Sequence, residues 1–114
     1  MTLFEITPAE RAGWQQRAAR ELVAILDAHP DLPVIAWTVA SAGSILVGHV
    51  SGTVSADQLR RTFDTWRQRL LLTPPEEVRF RDGSLVVKAT SHRNRVRVTV
   101  TATLPPERDG EVTP

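Results

Sequence analysis

Arg95-Val-Arg-Val-Thr-Val-Thr-Ala-Thr-Leu104 alternates polar and apolar residues without a break. Side chains on a strand point to opposite faces in turn, so this pattern fits a half-buried strand and fits a helix badly. Val96, Val98, Val100, Ala102 and Leu104 belong to a dry face, and Arg95, Arg97, Thr99, Thr101 and Thr103 to a wet one.

Working backwards, Asp82-Gly83 is a favoured two-residue hairpin turn, because both turn positions want positive φ. Closing there pairs Phe80 with Leu85, Val78 with Val87 and Glu77 with Lys88. A second turn through Ser91-His92-Arg93-Asn94 sets Ala89 opposite Val96 and Lys88 opposite Arg97. Three antiparallel strands from Val78 to Leu104 then share one buried face.

The first half supplies a helix and a hairpin. Thr7-Pro8-Ala9-Glu10 offers a cap, a first-turn proline and a returning glutamate, and His29-Pro30 ends the helix. Trp14, Ala18, Leu22, Ile25 and Leu26 fall on one stripe of it. A hairpin follows, with strands from Pro33 to Ala40 and from Ser44 to Ser51 around Gly43, apolar on both faces. Such strands are usually covered on both sides, by helices or by another subunit. Ser55-Ala56-Asp57-Gln58 then starts a second helix, with Leu59, Phe63, Trp66 and Leu70 inward, stopped near Leu72 by Thr73-Pro74-Pro75.

The fold expected is therefore α+β: a single domain over residues 1–104, in the order α-β-β-α-β-β-β. A five-stranded, mainly antiparallel sheet packs with two helices, and residues 105–114 form a disordered acidic tail. The chain has 114 residues, no cysteine, a net charge of +1 and 24% charged residues. Without cysteine there is no disulfide framework, thiol nucleophile or cysteine-ligated metal. The longest clean apolar run, Leu22 to Leu26, is far short of the roughly 20 residues that cross a bilayer. No basic leader with an apolar stretch is visible at the N-terminus. These features point to a cytoplasmic protein without a membrane partner.

Charge is unevenly spread. Residues 55–104 hold nine arginines and Lys88 against five acidic residues, whereas residues 1–54 hold three arginines against five. Parity places Arg79, Arg81, Lys88, Arg95 and Arg97 on the outward face of the C-terminal strands, with Arg93 at the neighbouring turn. Guanidinium groups bind phosphate oxygens in pairs, so this face is a candidate for anions or nucleic acid. A solvated face kept charged for solubility and against edge pairing is the simpler account. Trp14, Phe63 and Trp66 fall on helical apolar stripes and Phe80 in the meander core, away from any stacking bases, whereas Trp37 lies on a hairpin apolar on both faces.

His29, His49 and His92 lack partners at ligand spacing, no nucleophile elbow or phosphate loop is present, and no catalytic residue, cofactor or metal ligand is assigned. The reading this leaves is a small non-enzymatic interaction or adaptor module that self-associates as a homodimer, with another protein as a further partner. Val34, Ala36, Leu46 and Val50, the surplus apolar residues of the first hairpin, are the candidate surface. A nucleic-acid-binding accessory protein using the arginine face is the first alternative. A small-ligand-binding protein with a pocket near Trp37 and His49 is the second.

Overall fold

A computed structural model describes residues 6–52 and 54–106. Helix α1 (Pro8–Ala28) starts at Thr7, whose side chain accepts from the Glu10 amide at 3.1 Å. The hairpin β1 (Ala36–Val39) and β2 (Ile45–Val50) follows, then helix α2 (Ala56–Arg69). Here the capping box is complete: Ser55 accepts from the Gln58 amide and the Gln58 side chain accepts from Ser55 N–H. Strands β3 (Glu76–Arg79), β4 (Leu85–Arg93) and β5 (Val96–Leu104) complete the order α-β-β-α-β-β-β.

The five strands form one sheet in the order β1-β2-β5-β4-β3, antiparallel except where β5 lies parallel to β2. The exception follows from α2. It carries the chain from β2 across the sheet to the far edge, and the returning meander sets β5 between β2 and β4. Both helices lie on the same face. Beneath them Leu46 and Val50 of β2, Leu85, Val87 and Ala89 of β4, and Val96, Val98, Val100, Ala102 and Leu104 of β5 are buried. They meet Ala18 and Ile25 of α1 and Leu59, Phe63 and Trp66 of α2, with Leu70 just past its end. Three valines of β5 are fully enclosed, and removing each from water contributes about 1.5–3 kcal/mol. The decisive alternation thus does what its parity requires.

Three details differ from the sequence reading. The loop after β3 has three residues, Arg81-Asp82-Gly83, rather than two. The Phe80 amide donates to the Ser84 carbonyl, Gly83 N–H donates to Phe80 O, and Gly83 takes φ +90°. This is a type I turn followed by a left-handed glycine. Two hydrogen bonds from Ser84 to the Asp82 carboxylate fasten it and hold that carboxyl below its ordinary pKa. Val78 therefore pairs with Val86 instead of Val87, and a one-residue slip turns every β3 side chain to the other face.

The second turn is tighter than expected. It closes on Asn94-Arg95, with φ +49° and +67°, so Ala89 faces Val100 and Lys88 faces Thr101. That shift is by an even number of residues and leaves the valines inward. On α1, finally, Ala18 and Ile25 are buried, but Leu26 is 46% exposed and Glu21 takes a buried place instead. Asn94 Nδ2 donates to Glu21 at 2.8 Å and Arg93 Nε lies 3.4 Å from its other oxygen, pinning α1 to the β4–β5 turn.

No helix among the described residues is long and apolar enough to cross a membrane. Pro106 packs against Gly83; the remainder of the expected acidic tail, from residue 107, lies outside the described residues.

Candidate functional site

The face of the sheet opposite the helices is uncovered, and the strand register lays out its side chains in rows. From β1 to β3, one row reads Ala36, His49, Thr101, Lys88 and Glu76. Beside it run Thr38, Val47, Thr99 and Thr90, and beyond those Ile45, Arg97 and His92. On the other flank lie Thr103, Val86 and Val78.

The centre of this face carries no charge. Val47, Thr99, Thr101 and His49 are half-buried by their neighbours alone. Thr101 Oγ1 lies 2.9 Å from His49 Nδ1, and the Thr90 and Thr99 hydroxyls are 3.1 Å apart. Cross-strand threonine pairs of this kind stiffen a sheet surface and set its hydroxyls in fixed positions. Charge borders this centre directly, at Arg97, two residues from Thr99 on β5, and cross-strand from Thr101 at Lys88, whose Nζ is 3.9 Å from Glu76. Val78 and Phe80, both about half exposed, extend the apolar surface at the β3 edge.

The six cations expected to share this face are dispersed. Lys88 and Arg97 lie on it, four residues apart in register rather than opposite each other. Arg79 was turned to the helix side by the slip in β3; it pairs with Leu85 and donates to the Gly83 carbonyl. Arg81 sits in the hairpin loop and Arg95 in the β4–β5 turn. Arg93 falls opposite Val96, on the helix side, where it meets Glu21 and donates to the Leu70 carbonyl. Glu77, the expected opposing acid, accepts from Arg60 of α2.

The four apolar hairpin residues are divided as well. Leu46 and Val50 are buried beneath the helices, whereas Val34 is exposed and Ala36 lies on the open face. The cause is register: Ala36 pairs with His49 and Val39 with Leu46, so Ala36 shares its face with Ile45 and Val47. Trp37 and His49, named together for a pocket, are on opposite faces for the same reason: Trp37 pairs with Gly48.

Among the described residues no group of three histidine or acidic side chains is placed to hold a metal ion. The sequence reading missed Val86 and Val78 as surface residues and missed Glu21 as a buried one. Only the threonine run in β5 carried a legible sign of the open face. No family model matches the chain, and no curated protein matches it in sequence.

Proposed function

We propose that this protein is a non-enzymatic interaction module that pairs with a second copy of itself through the uncovered sheet face. The observation that carries the reading is the placement of both helices on one side of a five-stranded sheet. The helices bury one face of the sheet, and the second face has an apolar and threonine centre bordered by Arg97, Lys88 and Glu76. Depletion of charge at the centre with a polar rim is the usual anatomy of a protein interface.

Size supports the same reading. Four inter-strand spacings and strands of up to nine residues give a face of roughly 20 by 30 Å. That is at most roughly 600 Å² in projection, of the same order as the ~800 Å² per partner of a standard interface. A two-fold axis through the face would bring Val47 and Thr99 of each copy together, with Arg97 and the Lys88–Glu76 pair flanking them. We place the module in the cytoplasm, with the cysteine-free composition as support. The cations do not share one face, so no continuous basic surface supports nucleic-acid binding.

Sedimentation equilibrium at tens of micromolar is the test. The wild type is expected to run as a dimer and Val47→Lys as a monomer, with thermal stability of the monomer changed by about 1 kcal/mol or less, as at other surface positions. A monomeric wild type at that concentration refutes the proposal.

A further inference from the structure

His49 stands inside the open face rather than at its border. It lies on β2, two residues beyond Val47, which sets the two side chains about 7 Å apart along the strand. Neighbours on both sides half-bury it: Ala36 of β1 pairs with it on one side and Thr101 of β5 on the other. Its Nδ1 lies 2.9 Å from Thr101 Oγ1, which holds the ring in place. His92, the other histidine in these rows, is differently placed. It is exposed near the end of β4, beyond the stretch that β3 covers, and is free to turn toward water.

Among the described residues, the strands beside His49 bring no acid to it. β1 supplies Ala36 and Thr38, β5 supplies Thr99, Thr101 and Thr103, and both helices lie on the opposite face. Farther along its row comes Lys88, two strands away and so at about 10 Å. Glu76 is three strands away and lies 3.9 Å from the Lys88 ammonium. Arg97 is one strand and four residues distant. An opposite charge favours a cation only within about 4–6 Å, so a protonated His49 ring has a hydroxyl beside it and no compensating carboxylate.

We propose that pH governs the self-association through His49: two copies pair with both imidazoles neutral and separate when these are protonated. The inference rests on the pairing through this face proposed above. An interface of standard size reaches about 16 Å from its centre, so one centred on Val47 and Thr99 covers His49 whichever way the second copy is turned. Covering the ring takes it out of water, and loss of water penalises the charged form. Imidazole is the side chain that ordinarily changes charge between about pH 5 and 8, and Val47, Thr99 and Thr101 around it do not titrate. Each dimer holds two copies of His49. At acid pH its formation therefore releases two protons, and the dissociation constant rises by up to about a hundredfold per pH unit.

The test is sedimentation equilibrium of the full chain at about pH 7.5 and about pH 5.5, with wild type, His49→Gln and His92→Gln. Glutamine keeps a donor and an acceptor for Thr101 but does not titrate. Wild type and His92→Gln are expected to show a dissociation constant at least about 30-fold higher at the lower pH, and His49→Gln one that changes less than about threefold. Far-ultraviolet circular dichroism at both pH values separates dissociation from unfolding, and dissociation that only accompanies unfolding overturns the proposal. So does a His49→Gln chain that keeps the wild-type pH response. Should His49→Gln fail to pair, the pH response of His92→Gln decides: release approaching two protons per dimer supports the proposal, and release near zero overturns it. A wild type equally dimeric at both pH values overturns the pH control and leaves the pairing standing. A wild type monomeric at both overturns the pairing and the control with it.

Discussion

Gly48 is the tightest point of the sheet, and replacing it with alanine puts a number on the packing. It lies in β2 on the helix-covered face, opposite Trp37. A Cβ there would stand 2.8 Å from Ile35 Cδ1 and 2.9 Å from Trp37 Cη2 and Cζ3. Two effects compete. Gly→Ala removes freedom from the unfolded chain, which stabilises by about 0.4–1 kcal/mol where the backbone permits it. Forcing a methyl into an occupied space costs about 1–3 kcal/mol. Overpacking should win, because the Trp37 ring is backed by Trp66 and cannot swing away freely. The net destabilisation is then about 1–2 kcal/mol.

Thermal unfolding followed by near-ultraviolet circular dichroism, at fixed protein concentration, should show a Tm lower by about 5–10 °C. The Ile35→Val background removes the nearer obstacle. In it the cost of Gly48→Ala should shrink by at least about 0.5 kcal/mol, as for directly contacting residues. If Gly48→Ala melts at or above the wild-type temperature, or costs the same in both backgrounds, the close approach is not what sets the residue at this position.

Two further outcomes are expected. Asp31, whose carboxylate accepts from Arg69 at 2.7 Å, has its pKa held below the ordinary value by that hydrogen bond first and by the Arg69 charge as well. A carboxyl with a depressed folded pKa stabilises above its unfolded value, near pH 4, and loses that contribution as pH falls through the folded value. In Arg69→Gln the Asp31 carboxyl, followed by NMR titration, should therefore titrate at higher pH than in the wild type; an unchanged midpoint would contradict the ion pair. At the β4–β5 turn, Arg95 takes φ +67°, a region that costs a non-glycine residue about 1–2 kcal/mol. Arg95→Gly should raise the urea midpoint by the equivalent of about 0.5–1 kcal/mol after the added chain freedom is subtracted, and a lower midpoint would argue against the turn.

Local chemistry was legible wherever one residue pattern determined one geometry. Thr7-Pro8 and Ser55 to Gln58 marked both helix starts, since caps act within a single turn. The alternation from Val96 to Leu104 fixed its inward face, since strand parity needs no partner to define it. The expected element order and the mainly antiparallel sheet of the α+β domain are those observed.

Among the strands, what failed did so by one mechanism. Which face a strand turns to its neighbours depends on register, and register depends on the conformation of the turn. One extra residue in the loop at Asp82-Gly83 reversed β3, sending Arg79 inward and Val78 outward. The hairpin pairing that set Ala36 against His49 separated Ala36 from Leu46 and Val50. A candidate surface assembled from several strands therefore dissolved, although the strands themselves were correctly identified.

Which segments coil, which extend, and which side of β5 is dry are properties of neighbours along the chain and can be read from it directly. That both helices cover the same face, that β5 runs beside β2, and that the threonines lie open beside Val47 emerge only from the assembled fold. Those outcomes depend on how the α2 crossover and the turns bring distant strands together, and no local pattern encodes them.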